Sequence, residues 1–298
     1  MRQMSRRNFL RALGAGGAAT ALAACGTLPD GRKGKDQVVV IGGGSGGATA
    51  AKYLKRFEPG LRVVLIEPNA RYHTCYGSNW YLGGLTRMEN LEQTYGALRD
   101  KHGVEIIHDT VTAIDRDAHT VHLAGGERLS YRKLVLSPGI DFRYDAVEGY
   151  SRDVAEEIPH AWKAGPQTVT LRRQLEAMPD GGVFVMVAPG NPFRCPPGPY
   201  ERAGMVAHYF KQHKPRAKII ILDNKEAFSK QGLFMDGWKQ LYGDMIEWVP
   251  GSGGGQVERI DVATRTAYSD GGLSSFKADV LNVIPPQKAG FIAERAGV

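Results

Sequence analysis

The chain has 298 residues, 42% hydrophobic and 23% charged, the make-up of an ordinary soluble globular protein long enough for two domains. Its formal charge of +7 is partly terminal: residues 1–25 hold four arginines and no acid, which leaves 34 basic against 31 acidic residues, or +3. The remaining basic residues are scattered, so a pI near 9.2 gives no ground for a nucleic-acid partner.

The chain opens on Ser5-Arg6-Arg7-Asn8-Phe9-Leu10, which has the twin-arginine form. An Ala/Gly-rich apolar stretch follows and ends in Leu22-Ala23-Ala24-Cys25. This order predicts a twin-arginine export signal and a periplasmic location. The stretch is too short and too glycine-rich for a membrane span. Twin-arginine export carries proteins already folded around a cofactor, so the signal hints at one. Residues 22–25 also fit a lipoprotein cleavage box, and two fates stay open: Cys25 as a lipidated first residue, or plain soluble release. Residues 1–34 are read as signal and linker.

Residues 37–41, a continuous β-branched apolar run, predict a strand buried on both faces. A glycine loop follows, then a helix over 48–57 and a strand over 62–66 that ends at Glu67. Together they make one βαβ unit. Strands are predicted at 104–108, within the alternating segment 111–123 and at 133–136, the last closing into Ser137-Pro138-Gly139. A helix at 167–178 precedes a second βαβ unit: strand 183–187, helix 201–213 and strand 218–222, ending at Asp223. Residues 251–255 read as a flexible turn, and 280–284 as a late strand running into Pro285-Pro286. The two βαβ units are the one large duplication.

Gly42, Gly44 and Gly47 form G-x-G-x-x-G between strand and helix. Gly42 permits the tight turn, Gly44 lets a pyrophosphate approach the backbone, and Gly47 lets helix and strand pack closely. The helix N-terminus then offers free N–H groups to phosphate. Glu67 follows Gly47 by 20 residues, where a carboxylate accepts hydrogen bonds from a ribose 2′-hydroxyl. The motif alone does not separate NAD from FAD. Ser137-Pro138-Gly139 resembles the second FAD contact of two-dinucleotide flavoproteins and favours FAD.

The second unit lacks such a loop. Residues 188–199 carry five prolines, and proline has no N–H to offer a pyrophosphate. This predicts a nicotinamide-type domain that has lost its cofactor, and a cofactor in the first domain reduced by a small diffusible donor rather than by NAD(P)H.

There are three cysteines. Cys25 belongs to the signal, Cys75 sits in Tyr72-His73-Thr74-Cys75-Tyr76-Gly77-Ser78-Asn79, and Cys195 sits in Arg194-Cys195-Pro196-Pro197-Gly198-Pro199-Tyr200-Glu201-Arg202-Ala203. With VVLIEPNA, LSPGIDFRYDAVEGYS, TLRRQLEAM and KADVLNVIPPQKAG, these segments resemble the flavoprotein subunit of flavocytochrome c sulfide dehydrogenase. The resemblance runs from Val38 to Gly290. It implies an α/β fold of two dinucleotide-binding domains, glutathione-reductase-like, with its C-terminal part missing. The FAD domain would span 35–150 and resume from about 283–298, and a degenerate NAD-type domain would span 151–282.

In that family the cysteine matching Cys75 carries FAD through a thioether, and the one matching Cys195 belongs to a redox-active disulfide. The implied reaction is oxidation of sulfide to sulfur or polysulfide, with hydrosulfide attacking a disulfide sulfur. Electrons would leave to a c-type cytochrome subunit. No C-x-x-C-H occurs here, so the haem would lie on that partner. Arg194 is expected to lower the Cys195 thiol pKa, or else to be a surface arginine. Cys195 is thus the expected catalytic residue. Gly42, Gly44, Gly47, Glu67, Cys75, Val111, Pro138 and Gly139 are the expected cofactor-binding set.

The family continues past this C-terminus, and its missing portion holds the partner of the redox cysteine, a Gly-Asp motif for the ribityl-phosphate end and the interface domain. A shortened loop is also expected around Gly243-Asp244. The eight histidines show no metal spacing. His73 and His160 are read as structural or surface residues. Trp80 is read as either a pocket-lining or a core side chain. Two other readings stay open: a sulfide:quinone oxidoreductase, which predicts an amphipathic C-terminal anchor not seen in this sequence, and a non-catalytic sulfur-binding partner flavoprotein.

Overall fold

A computed structural model describes residues 36–298, so the signal region and Cys25 lie outside the described residues. The first domain is built on Gln37–Ile41 (β1), Ser45–Phe57 (α1), Arg62–Ile66 (β2), Glu105–Ile107 (β3) and Lys133–Leu136 (β4). The four strands form one parallel sheet in the order β3-β2-β1-β4, with Val39 opposite both Val64 and Leu134. Every residue of β1 is buried, as its unbroken apolar run requires. Val38 and Val40 face α1 and Ala51, whereas Val39 and Ile41 face a three-stranded antiparallel sheet over residues 111–130. The period of two thus feeds two cores from one strand.

Pro166–Ala177 (α2), Val183–Ala188 (β5), Gly198–His213 (α3), Lys218–Asp223 (β6), Gln231–Tyr242 (α4), Ile246–Val249 (β7) and Val280–Val283 (β8) make the second domain. Its parallel sheet has the order β7-β6-β5-β8. Phe184 and Met186 pack under α2 and α3, and Val185 and Val187 pack on a second antiparallel sheet over residues 257–277. The two domains therefore repeat one plan: strand, helix, strand, third strand, antiparallel sheet, fourth strand. The duplication is wider than the two βαβ units predicted it to be.

The packing changes hands before residue 150. Phe142 already belongs to the second domain's core, as do Val147 and Tyr150. The chain returns through an antiparallel ribbon that pairs Ile140–Phe142 with Gln287–Ala289. It ends on the helix Phe291–Arg295, whose Ile292 packs against the first domain's Val39 and Ile41.

Two helices start earlier than predicted. α1 begins at Ser45, because its glycine-rich first turn has low helix propensity and hides the start. α3 begins at Gly198, because a proline in the first helical turn gives up only an N–H that has no partner there anyway. The turn at Gly243-Asp244 is short: α4 stops at Tyr242, Gly243 has φ +61°, and β7 starts at Ile246.

Candidate active site

The first glycine loop is held from below by backbone and from the side by Glu67. Gly42 N–H donates to Ile66 O at 2.9 Å, and Gly42 has φ +97°. A methyl group on Gly47 would stand 1.8 Å from Gly42 O, so glycine is required there. A methyl on Gly44 would meet only Tyr72 Cε2, at 3.6 Å, so that position faces open space. Glu67 Oε2 accepts from Gly43 N–H at 2.8 Å, and Oε1 accepts from Asn69 at 3.0 Å (N) and 2.7 Å (Nδ2). The Tyr95 hydroxyl donates to Gly43 O at 3.1 Å. Burial, and then Glu67, push the Tyr95 phenol well above its usual range.

Gly44 opens onto a cavity of about 630 Å³ shared by the two domains. Cys75, Asn79, Ser137 and Gly139 line it from the first domain, and Trp162, Arg194, Cys195, Glu201 and Arg202 line it from the second. The fold thus brings Gly44, Gly139, Cys75 and Cys195 to one space although 151 residues separate the first from the last. Gly42, Gly47 and Glu67 shape the loop behind it. Pro138 sits in the turn beside the return segment, its O 2.6 Å from where a methyl on Gly290 would be. Val111 is 4% exposed, and its side chain packs in the first core with Val39 and Ile41 rather than on the cavity. As the first residue of an alternating strand, it points inward with the apolar face.

Cys195 has φ +61°, and its carbonyl accepts from Gly198 N–H at 2.8 Å. A methyl on Gly198 would lie 3.2 Å from Cys195 Sγ and 2.6 Å from Trp162 Cη2. The sulfur therefore sits against the helix start and the indole although the residue is exposed as a whole. This burial, followed by Glu201, pushes the thiol pKa up, and Arg194 opposes the shift without reversing it. The expected lowering by Arg194 is present, but burial and Glu201 outweigh it. Its guanidinium is engaged with Trp162 O, and its N–H donates to Gln287 Oε1 at 2.9 Å. Cys75 is half-buried, with Sγ 3.9 Å from Trp162 O.

Two residues that the sequence reading missed dominate this space: Trp162 and Arg202. Arg202 is 1% exposed and ties four segments: Nε donates to Asn79 Oδ1 (3.2 Å), Nη1 to His160 O and Asn282 Oδ1 (both 2.8 Å), and Nη2 to Ala161 O (2.7 Å). Burial pulls its pKa down to about 10, so it is still a cation at neutral pH. Its place seven residues after Cys195 gives no shared helical face, because α3 begins only at Gly198. Trp80, in contrast, is 54% exposed and lines neither core nor cavity.

His160 is 3% exposed, and its Nδ1 accepts from Trp162 N–H at 3.0 Å. Burial first, then Arg202, Lys163, Arg152 and Arg194, lower its pKa to about 3. The unfolded chain binds this proton near pH 6.5 and the folded chain does not, so stability is present above pH 6.5 and is lost as pH falls toward 3. We expect the protein to lose roughly 2–3 kcal/mol more than His160→Gln between pH 7 and 4.5, measured by urea denaturation at each pH. Equal losses would place the acid sensitivity elsewhere.

The second nucleotide position is closed twice over. Of the first helical residues of α3, Gly198 has its N–H bonded to Cys195 O, and Pro199 has none. Asp223 is fully buried and accepts from Tyr200 Oη (2.5 Å), Lys225 Nζ (2.5 Å) and Trp248 Nε1 (2.9 Å). The acid that a nicotinamide domain would turn toward a ribose is here spent inside the core.

A flavin nucleotide fits the residues present. The start of α1 presents the N–H groups of Ser45 and Gly46 beside the open Gly44, where a pyrophosphate would lie. The cavity continues from this loop past Ser137 and Gly139 to Cys75, and Trp162 Nε1 in its wall is a donor without a hydrogen-bond partner. Among the described residues, no group of three or more His, Cys, Asp or Glu could hold a metal, and no helix is long and apolar enough to cross a membrane.

Comparison with known proteins agrees with this geometry. Residues 36–171 match the pyridine nucleotide-disulphide oxidoreductase family model, and residues 168–285 match the model of the central part of the sulfide dehydrogenase (flavocytochrome c) flavoprotein chain. Residues 3–23 match a twin-arginine signal, which directs export to the periplasm. The chain is 26% identical over 199 residues to mitochondrial sulfide:quinone oxidoreductase of Mus musculus, covering 62% of this chain and 41% of that one. It is 50% identical over 46 residues to the sulfide dehydrogenase flavoprotein chain of Chlorobaculum thiosulfatiphilum, covering 15% of this chain and 96% of that sequence. The solved sulfide:quinone oxidoreductase of Aquifex aeolicus superposes with a TM-score of 0.70 at 20% identity, over 88% of this chain and 61% of that one, and supports the fold. The chain spans about 41% of the mouse relative's length. With a central model specific to these flavoproteins matching its second domain, a disulphide-oxidoreductase model matching its first, and 50% identity over 46 residues to a flavoprotein chain of which those residues cover 96%, the chain belongs to the family of flavocytochrome c sulfide dehydrogenase flavoprotein chains.

Proposed function

We propose that the protein carrying this chain is an FAD-dependent enzyme that oxidises sulfide to sulfur or polysulfide and passes the electrons to a c-type cytochrome subunit. The observation that supports this most is one cavity bounded by an open dinucleotide loop at Gly44 and by a cysteine at 195, while the sister nucleotide position is closed by Asp223 and the prolines. FAD, when bound, supplies a two-electron acceptor that can release electrons singly. Gly42, Gly44 and Gly47 would hold its pyrophosphate, Glu67 a ribose, and the Ser137–Gly139 turn with Pro138 its far end. Val111 would contribute through its backbone alone. Cys75 lines the same cavity and would carry the cofactor through a thioether.

Cys195 would act within a disulfide. Hydrosulfide attacks one sulfur, a new S–S bond forms on it, and the other cysteine leaves as a thiolate. The raised thiol pKa suits a sulfur that spends its resting state bonded rather than ionised. The haem would lie on the cytochrome partner. A quinone acceptor is the second reading, favoured by the 26% identity to the mouse quinone-linked enzyme, and a sulfur-binding role without turnover is the third. A lipid anchor at Cys25 is a further proposal, decided by the mass of the mature N-terminus.

Steady-state assay of the whole exported protein separates these readings. Sulfide-dependent reduction of cytochrome c supports the first, reduction of a soluble quinone with cytochrome c unchanged supports the second, and neither supports the third. Acid precipitation tests the thioether: yellow colour should stay with the protein and move to the supernatant in Cys75→Ser.

A further inference from the structure

Arg202 is the largest fully buried side chain among the described residues, and its four hydrogen bonds go to neutral acceptors only. No carboxylate lies within ion-pair distance of it among the described residues. A buried cation without a counter-charge costs several kcal/mol, far more than tying loops together demands. Neutral donors such as those of Asn or Gln would hold the same carbonyls at lower cost.

The charge is also turned toward the cavity. Arg202 lines it together with Cys195, one N–H of its Nη2 has no acceptor, and its Cζ lies 5.0 Å from the centre of the Trp162 ring, whose Nε1 is likewise unpaired. The other charged groups there do not cancel it. Glu201 also lines the cavity, its Oε2 accepting from Asn79 Nδ2 at 3.2 Å, and Arg194 lines it as well. Arg152 and Lys163 face Asp141 at 3.6 and 3.9 Å, and His160 is neutral. Among the charged side chains that line the cavity, two guanidinium groups stand beside one carboxylate.

We propose that Arg202 and the cavity it lines form a binding site for a small anion beside the Cys195 sulfur, and that the anion taken in turnover is hydrosulfide rather than neutral hydrogen sulfide. The identity of the anion rests on the sulfide reading, whereas the site itself does not. Arg202 acts here as a positioning residue: it holds charge where the attacking sulfur must stand, and it gives neutral hydrogen sulfide no comparable attraction.

The test uses two reagents of nearly equal size and different charge. The whole protein, with its cofactor bound and its disulfides reduced, is treated with iodoacetate or with iodoacetamide, and alkylated Cys195 is counted by peptide mass spectrometry. Each reaction forms one S–C bond and expels iodide, so the rate ratio reports the charge around the sulfur. At Cys195 the iodoacetate-to-iodoacetamide ratio should exceed that of 2-mercaptoethanol by roughly tenfold, since about 1.4 kcal/mol is a modest interaction for one partly screened charge. Arg202→Met should bring the ratio to the free-thiol value, and Arg202→Lys should keep most of it. A wild-type ratio within twofold of the free thiol overturns the site without any variant, so misfolding of Arg202→Met cannot rescue it. A raised ratio that persists in folded Arg202→Met overturns the role of Arg202. No sulfide turnover enters the measurement, so its failure and that of the sulfide reading remain distinguishable.

Discussion

Serine at position 195 is expected to lower sulfide-dependent cytochrome c reduction by roughly 10³-fold or more while bound FAD stays at its wild-type level. The reason is chemical. A hydroxyl cannot enter an S–S bond, so hydrosulfide has no sulfur to attack and no thiolate is released. The fold gives little cause for a wider effect. Cys195 is exposed, its backbone hydrogen bond to Gly198 does not involve the side chain, and serine differs from it by one atom at the same φ of +61°. Thermal unfolding and flavin absorbance of Cys195→Ser should therefore overlay those of the parent. A variant that keeps a tenth of the rate would mean that the sulfur chemistry happens elsewhere. Cys75→Ser should behave oppositely, losing tightly held flavin before it loses the thiol chemistry of Cys195.

Much of the scaffold was legible because its signals are local. The strand at 37–41 is apolar on both faces, and a parallel strand between two layers must be so. Gly47 is dictated by a contact with Gly42 five residues earlier, and Glu67 follows from the length of one helix and one strand. The helix Gln231–Tyr242 was not read. It starts at Lys230 with φ +63° and no side-chain cap, and it leaves Leu233, Met235 and Leu241 exposed, which blurs its apolar stripe. The site was legible only in its cysteines and glycines. Arg202 becomes central because Asn79, His160, Ala161 and Asn282 close around it, and these partners lie 41 to 123 positions away in the chain. Nothing local in Tyr200-Glu201-Arg202 announces a buried cation. Trp162 entered the wall for the same reason, whereas the more obvious aromatic, Trp80, turned outward. Arg194 shows the limit of reasoning from neighbours. One residue from Cys195, it spends its guanidinium on Trp162 O, and the packing of the sulfur against Gly198 and Trp162 sets the sign of the thiol shift instead.

The second large effect lies in the opposite wall. Gly47→Ala is expected to reduce bound FAD to below a tenth of the parent and to lower the melting temperature by roughly 5 °C or more. The added methyl would stand 1.8 Å from Gly42 O, 3.0 Å from Gly42 C and 3.3 Å from Val40 Cγ1. Relief by moving the loop is blocked, since Gly42 N–H is bonded to Ile66 O at 2.9 Å and a methyl at Gly42 itself would already be 2.1 Å from Ser137 O. The helix must therefore lift away from β1. Lifting α1 moves its N-terminal N–H groups and the open face of Gly44 away from the phosphates they would hold. A control fixes the interpretation: Gly232→Ala, in α4, adds a methyl that meets nothing within 4 Å and should leave FAD content unchanged. It should also raise stability by about 0.5–1 kcal/mol through helix propensity alone. Full flavin occupancy in folded Gly47→Ala would show that the helix need not lie this close to β1, and the dinucleotide reading of the first loop would fail with it.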